Sequence, residues 1–261
     1  MQDFKACAID IAREAGIFLK NRLHSAHEID YKGDIDLVTE VDKISEQMIT
    51  SKIHTLFPDH DILAEEFTDI NRGSNFRWII DPLDGTTNYA HGYPFFCVSI
   101  ALEVLDIMTV SVVYDPMLNE LFVAERGKGA FLNDREISVS NTHEIIKSLL
   151  ATGFPYDIHG SSQNNLNYFN KMILKAQAIR RAGSAALDLA YVAAGRFDGF
   201  WEIKLNPWDT AAGWLLVEEA GGVVTDMGGE NYYLESPGIV ASNGRIHREM
   251  MNILKSVLSI L

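Results

Sequence analysis

Two carboxylates at the end of an apolar run are the residues of this chain best suited to chemistry. Residues 78–80 have the composition of a buried strand, and Asp81 and Asp84 follow them directly, three residues apart. Pro82 between them lacks a backbone donor, and Gly85 permits a tight turn. Carboxylate oxygens suit Mg²⁺, and the N–H groups of a helix that starts next suit a phosphate. The pattern indicates a divalent-cation site beside a phosphate site, although Asp-Pro and Asp-Gly are also ordinary turn pairs.

A second stretch farther along the chain makes this interpretation more specific. Residues 208–222 read Trp-Asp-Thr-Ala-Ala-Gly-Trp-Leu-Leu-Val-Glu-Glu-Ala-Gly-Gly, and residues 81–89 read Asp-Pro-Leu-Asp-Gly-Thr-Thr-Asn-Tyr. In this order the two stretches resemble the two signatures of the inositol monophosphatase family. The resemblance covers essentially the whole chain and is closest to the bacterial inositol-1-monophosphatases. It implies hydrolysis of myo-inositol monophosphate to inositol and phosphate, dependence on two or three Mg²⁺ ions per active site, and sensitivity to lithium.

The resemblance also implies roles for residues in several separate segments. Four carboxylates that converge without cations would repel one another strongly, and bound Mg²⁺ would relieve that repulsion. The implied metal ligands are Glu65, Asp81, Leu83 (through its carbonyl oxygen), Asp84 and Asp209. The implied substrate contacts are Asp84, Gly85, Thr86, Gly183, Ser184, Ala185, Glu202 and Asp209. The resemblance implies a metal-activated water as the nucleophile, and the residues implied in catalysis are Glu65, Thr86 and Asp42.

Residues 32–42 resemble the flap that covers the site in this family, by the spacing of Lys32, Asp36, Thr39 and Asp42. Thr39 is also suited to be a helix N-cap. Asp42 therefore has a second interpretation, as an acid that the helix dipole favours in the first turn. Both interpretations stay open at this stage.

Other activities share the two signatures. Within the family, the alternatives are fructose-1,6-bisphosphatase, 3′-phosphoadenosine nucleotidase and histidinol phosphatase. The resemblance of residues around Glu202 favours the inositol type. A different class of protein, a regulatory binding protein that keeps an inactive site, is opposed by the presence of every carboxylate of the pattern.

Composition limits the partners. The chain has 261 residues, 36 acidic and 22 basic, with a formal net charge of −14. Such a surface repels nucleic acid, so we expect a small phosphorylated polyol as substrate and no nucleic-acid partner. Only two cysteines are present and they form no Cys-x-x-Cys pair, which argues against a zinc or redox motif. Without a signal peptide or an apolar run of about 20 residues, we expect a cytoplasmic protein that does not bind a membrane. The resemblance implies a homodimer.

The hydrophobic pattern predicts an α+β / α/β protein, and the family resemblance implies a layered α-β-α-β-α sandwich of the sugar-phosphatase type. Residues 1–140 are predicted to form an N-terminal α+β half with an antiparallel sheet and the metal site. Residues 141–261 are predicted to form an α/β half with a mixed sheet and the substrate contacts, packed with the first half as one unit. Among the helices, apolar periodicity predicts residues 3–24, 164–178 and 245–261.

Overall fold

The structure is a computed structural model that describes residues 3–23, 29–31 and 37–258. The described helices are α1 Phe4–Arg22, α2 Glu40–Leu56, α3 Thr86–Ala90, α4 Leu166–Ile173, α5 Ala185–Ala193, α6 Pro207–Glu219 and α7 His247–Leu258. The first strands are β1 Ile29–Tyr31, β2 Leu37–Thr39, β3 Asp61–Ala64, β4 Asp69–Ile70, β5 Phe76–Asp84, β6 Cys97–Val104, β7 Ile107–Asp115 and β8 Glu120–Glu125. The remaining strands are β9 Ala130–Leu132, β10 Arg135–Ile137, β11 Leu149–Thr152, β12 Ala178–Arg180, β13 Gly199–Ile203, β14 Val223–Asp226 and β15 Gly238–Ser242.

Two main sheets build the protein. The larger has the strand order β10-β9-β8-β7-β6-β5-β3-β4, and the smaller has the order β12-β11-β13-β15-β14. The larger sheet is antiparallel, as predicted, except that β3 and β5 run parallel. The smaller sheet is mixed, because β12, β11 and β13 are parallel while β15 is antiparallel to its neighbours.

The helices form three layers around these sheets. Helices α1 and α2 pack on one face of the larger sheet, and α5 and α6 lie between the two sheets. Helices α4 and α7 contact each other, and α7 also contacts the outer side of the smaller sheet at β15. Separate apolar clusters fill the spaces between the layers. The predicted α-β-α-β-α sandwich is therefore confirmed.

Some predicted elements differ from the structure. The helix predicted over residues 164–178 ends at Ile173, because residues 178–180 instead pair with β11 as the edge strand β12. The last helix begins at His247, and residues 259–261 lie outside the described residues. The described residues include no helix that is both long and apolar enough to cross a membrane. The boundary near residue 140 follows the last strand of the larger sheet, and the division into two halves stays a prediction.

An aromatic stack beside β3 contains a histidine, so we expect the stability of the fold to depend on pH. The His60 ring lies between Phe57 and Phe76, with ring centroids 4.8 and 4.4 Å away, and the Trp78 Nε1–H donates to His60 Nδ1 at 3.0 Å. Burial lowers the pKa of His60, although Asp59 and Asp61 oppose this. Neutral His60 is therefore favoured in the folded state, so its stabilising contribution is complete above the unfolded pKa of about 6.5 and is lost as pH falls through the lower, folded pKa.

We expect the free energy of unfolding to fall more steeply between pH 7 and pH 5 in the wild type than in His60→Asn. Asparagine keeps an acceptor near the position of Nδ1 but does not titrate. Chemical denaturation of both proteins at several pH values tests this difference. Equal pH slopes would mean that His60 contributes nothing to the pH dependence.

Candidate active site

Three carboxylates converge where the larger sheet meets helix α6. One oxygen each of Asp81, Asp84 and Asp209 lies within 4.8 Å of the other two. Asp81 and Asp84 are buried at the end of β5, and Asp209 is half-buried in the first turn of α6. The two sequence stretches, more than a hundred residues apart, thus contribute to a single cluster.

The end of β5 is shaped to present these side chains. The pairing of β5 with β6 is irregular between Asp81 and Asp84. The Leu83 N–H donates to Asp81 Oδ1 at 3.0 Å, which fixes that carboxylate. Gly85 follows with φ +101°, and a Cβ there would meet the Phe95 carbonyl oxygen at 3.0 Å. Only glycine combines this backbone conformation with so close an approach.

Asp84 joins the end of β5 to the start of helix α5. Its Oδ2 accepts from Ser184 Oγ at 2.5 Å and from the Ala186 N–H at 2.7 Å. Ser184 is the N-cap of α5, and its hydroxyl also accepts from the Leu187 N–H at 3.3 Å. The carboxylate therefore sits at the positive end of a helix, where a negative charge is stabilised.

Asp209 is positioned by the start of α6. Pro207 opens the helix, and the Asp209 Oδ2 accepts from the Asn206 N–H at 2.6 Å. One oxygen thus satisfies a backbone donor at the helix start. Asp209 combines this structural bond with its place in the carboxylate cluster.

Burial and mutual repulsion disfavour the charged forms of the cluster. Burial raises the pKa of Asp81 well above its usual value, and Glu65, Asp84 and Asp209 raise it further. Burial likewise raises the pKa of Asp84 and that of Asp209. Buried carboxylates of this kind are stabilised as anions by a cation. An all-oxygen donor set with excess negative charge fits a hard divalent cation such as Mg²⁺.

Glu65 follows β3 and is half-buried. It is not one of the three carboxylates within 4.8 Å of one another, but it lies near enough to raise the pKa of Asp81 and of Asp209.

The loop after Glu65 is held by Glu46, a residue that was not predicted from the sequence. Glu46 Oε2 accepts from the Glu66 N–H at 2.7 Å, and Oε1 accepts from the Phe67 N–H at 3.0 Å.

A hydroxyl and a buried carboxylate lie beside the cluster. Thr86 Oγ1 is 2.9 Å from Asp42 Oδ1 and 3.1 Å from the Leu83 carbonyl oxygen. Thr39 is the N-cap of α2, as predicted, and Asp42 Oδ2 accepts from the Thr39 N–H at 2.9 Å, which is the reciprocal bond of a capping box. Both interpretations of Asp42 are therefore compatible, since its two oxygens make different contacts. The flap residues Lys32 and Asp36 lie outside the described residues.

A pocket next to the carboxylates brings most of the predicted substrate contacts together. Glu202 at the end of β13 is buried, and its carboxylate fills the space that a Cβ on Gly153 would occupy. Burial raises the pKa of Glu202 to about 8. The predicted contacts that line the pocket are Asp84, Gly85, Gly183, Ser184, Ala185, Glu202 and Asp209. Other lining residues, which sequence reasoning missed, include Gly153, Arg181 and Asp188.

The site lies where parallel strands β11 and β13 end, the edge at which open α/β sheets bind ligands.

Comparison with known proteins agrees with this arrangement. The model of the inositol monophosphatase family matches residues 1–259. The chain is 46% identical to an inositol-1-monophosphatase of Synechocystis sp., over 97% of this chain and 89% of that protein. It is 44% identical to the Nus factor SuhB of Salmonella typhimurium, over 99% of this chain and 98% of that protein.

Among solved structures, the inositol monophosphatase of Anabaena (Nostoc) sp. superposes with a TM-score of 0.89 at 44% identity, covering 99% of this chain and 98% of that one. These matches extend over both sheets and both motif stretches. The chain belongs to the inositol monophosphatase family.

We expect Ser184→Ala to destabilise the protein by about 1 kcal/mol, since it removes both an N-cap and a donor to Asp84. Chemical denaturation measures the loss. Ser184→Thr keeps the hydroxyl and serves as the matched control, with a smaller loss expected. Equal stability of the alanine variant and the wild type would contradict the contribution of these two hydrogen bonds.

Proposed function

We propose that the protein is a Mg²⁺-dependent phosphomonoesterase that hydrolyses myo-inositol monophosphate to inositol and phosphate. The observation that carries this proposal is the convergence of Asp81, Asp84 and Asp209 beside a pocket. Membership of the inositol monophosphatase family supports a phosphatase. The inositol specificity is our inference from the pocket and from the resemblance of its residues.

Five oxygen ligands would hold the ions, and they are those expected from the sequence: Glu65, Asp81, the carbonyl oxygen of Leu83, Asp84 and Asp209. When bound, two or three Mg²⁺ ions would activate a water molecule and neutralise charge on the phosphate and the leaving oxygen. The chain's contribution is to fix the ligands in advance. Asp84 is held by Ser184, and Asp209 by the start of α6.

Thr86 and Asp42 would orient the attacking water. The Thr86 hydroxyl shares its proton with Asp42 Oδ1 or with the Leu83 carbonyl oxygen, at 2.9 and 3.1 Å. When that proton points to Asp42, the Thr86 oxygen has a lone pair free to accept from a water molecule. Burial raises the pKa of Asp42, while hydrogen bonds from Thr39 and Thr86 lower it. The Thr86 oxygen would therefore accept a hydrogen bond from the water, while Asp42 Oδ1 accepts one from the Thr86 hydroxyl.

The remaining residues would hold the substrate. The N–H groups of Gly85 and Thr86, at the turn that follows the carboxylates, would bind the phosphate. Gly183, Ser184 and Ala185 line the pocket and would contact the polyol ring. Glu202, which lines that pocket from β13, would accept hydrogen bonds from ring hydroxyls.

Phosphate release from a substrate panel, with Mg²⁺ and with a chelator, tests the proposal. The panel contains myo-inositol 1-phosphate, fructose 1,6-bisphosphate, 3′-phosphoadenosine 5′-phosphate and histidinol phosphate. We expect Mg²⁺-dependent release and the highest kcat/KM on the inositol ester. A higher value on another ester would replace the substrate assignment, and no release from any of them would refute the phosphatase.

A second candidate function comes from the names of the relatives. Several proteins 44% to 47% identical to this chain are called Nus factor SuhB, a name that describes a factor rather than an enzyme. We therefore keep a regulatory binding role as an alternative. Loss of phosphate release in Asp81→Asn, without loss of a regulatory effect in cells, would separate the two functions. The predicted homodimer, cytoplasmic location and lack of a nucleic-acid partner stay predictions.

We expect lithium in the millimolar range to inhibit phosphate release, because Li⁺ would occupy an oxygen site of Mg²⁺ without matching the charge of Mg²⁺. Initial rates at a fixed Mg²⁺ concentration with increasing LiCl measure the effect. NaCl at the same ionic strength is the control. Full activity in high lithium would count against this metal chemistry.

A further inference from the structure

Asp188 is a buried carboxyl in the pocket that the proposed mechanism does not use. It lies in the first turn of α5, is 2% exposed, and lines the pocket. Its Oδ1 is buried without a hydrogen-bond partner among the described residues. Buried polar atoms are nearly always bonded, so an unpartnered carboxyl oxygen at a binding pocket requires an explanation.

The local structure does not supply that explanation. Ser184 already caps α5, so Asp188 is not needed as the cap. Residues four apart lie on the same face of a helix, so Asp188 shares its face with Ser184, whose hydroxyl contacts Asp84. Burial raises the pKa of Asp188 well above its usual value, Glu202 and Asp84 lie near enough to raise it further, and Arg181 lies near enough to lower it. Asp188 and Glu202 line the same pocket.

We propose that Asp188 is a specificity-determining residue that acts with Glu202 to accept hydrogen bonds from two neighbouring hydroxyl groups of a phosphorylated polyol. The inference rests on the proposed phosphatase function and adds a residue that would select a polyol ester over other phosphate esters. A substrate with a single alcohol, or an aryl phosphate, offers no second hydroxyl for Asp188. A cyclic polyol with vicinal hydroxyls offers one donor to each carboxyl group.

The unpartnered Oδ1 of Asp188 lowers the free energy of unfolding, which supports a role for Asp188 in binding instead of in the fold. An unsatisfied buried acceptor destabilises a protein, whereas an apolar group of the same shape does not. Asp188→Leu, which keeps the branched shape and removes both oxygens, should therefore melt at the same temperature as the wild type or higher. A residue that served the fold would lower the melting temperature when replaced.

Steady-state kinetics on two substrates test the proposal. For Asp188→Leu we expect the KM for myo-inositol 1-phosphate to rise about tenfold or more, equivalent to about 1.4 kcal/mol, with kcat within about threefold. With 4-nitrophenyl phosphate, both constants should stay within about twofold. Asp188→Asn keeps an acceptor oxygen and should restore most of the affinity. Asp188→Ala, which also removes the oxygens and suits a helix, replaces the leucine variant if that variant does not fold.

Asp115→Leu is the matched control. Asp115 is also buried and has an unpartnered Oδ2, but it does not line the pocket, and its Oδ1 accepts from the N–H groups of Met117 and Leu118. We expect Asp115→Leu to change the stability without changing the ratio of the KM values for the two substrates. Equal losses on both substrates in Asp188→Leu, or no change on the inositol ester, would overturn the proposal.

Binding without turnover separates this inference from the proposed function. Myo-inositol should raise the melting temperature of the wild type and of Asp115→Leu, and raise that of Asp188→Leu less. If the wild type hydrolyses neither ester but keeps this pattern, the phosphatase proposal fails and the role of Asp188 stands. If the wild type is active and myo-inositol stabilises all three proteins equally, the role of Asp188 is wrong and the phosphatase proposal stands.

Discussion

Asp209→Asn is expected to lower kcat by two or more decades, which corresponds to about 3 kcal/mol or more of lost transition-state stabilisation. The change removes a negative charge from a cluster whose three oxygens lie within 4.8 Å of one another. That carboxylate would help to hold the Mg²⁺ ions, whose positive charge would stabilise the negative charge that develops on the leaving oxygen in the transition state. Interactions made mainly in the transition state appear in kcat rather than in KM.

The fold should tolerate this substitution. The Asp209 Oδ2 accepts from the Asn206 N–H at 2.6 Å, and an asparagine oxygen can accept the same bond. Burial and the neighbouring Glu65 raise the pKa of Asp209, so a neutral side chain also removes repulsion. We expect the free energy of unfolding without metal to be unchanged or higher.

Glu219→Gln is the control for Asp209→Asn, because Glu219 ends the same helix but binds the N–H groups of Gly127 and Gly129 instead of lining the pocket. Its kcat should stay within about twofold of the wild type. A kcat for Asp209→Asn as high as that of Glu219→Gln would exclude the second motif stretch from the active site.

The site residues that could be predicted from the sequence are those that lie within contiguous motifs. Asp81 and Asp84 could be assigned because a buried strand, a proline and a glycine surround them within eight residues. For Asp209, Pro207 indicates a helix start just before it, and the family resemblance of the second stretch implies its role as a ligand. That the two motifs meet depends on the packing of α6 against β5, a long-range contact that only the resemblance could suggest.

Isolated residues that lie outside any motif could not be assigned to the site from the sequence. Asp188 looks in sequence like any acid in the first turn of a helix, and Glu46 like any polar residue inside one. Gly153 carries no turn signal that would predict a carboxylate against its Cα. Their roles arise from neighbours that are distant in sequence, so local patterns contain no signal for them. The same holds for β12, which is a strand because it pairs with β11.

The second large effect is expected at Glu202, and it should differ in kind from that at Asp209. Glu202 lines the pocket from β13, and it is not one of the clustered carboxylates. At pH 8.5, where the carboxylate predominates, Glu202→Gln should raise the KM for myo-inositol 1-phosphate by about tenfold or more, since a hydrogen bond to a charged group is worth about 1.5–3 kcal/mol. Its effect on 4-nitrophenyl phosphate should be within about twofold.

The pH of that measurement matters because burial raises the pKa of Glu202 to about 8. Below this value the acid is mostly protonated in the free protein and glutamine resembles it, whereas above it the carboxylate predominates. The KM comparison is therefore made at pH 8.5 as well as at pH 7, with the larger difference expected at pH 8.5. An equal rise in KM for both substrates would assign Glu202 to the metal site instead of the polyol pocket.

A glycine substitution tests the position of Glu202 without changing its charge. A Cβ on Gly153 would lie 2.2 Å from Glu202 Oε1, so Gly153→Ala must displace that carboxylate. Gly160 in the following segment has no atom within 4 Å of such a Cβ, which makes Gly160→Ala the matched control. If Glu202 binds ring hydroxyls from its present position, Gly153→Ala should reproduce the rise in KM on the inositol ester alone, and Gly160→Ala should not. Unchanged kinetics in Gly153→Ala would mean that the position of this carboxylate does not control substrate binding.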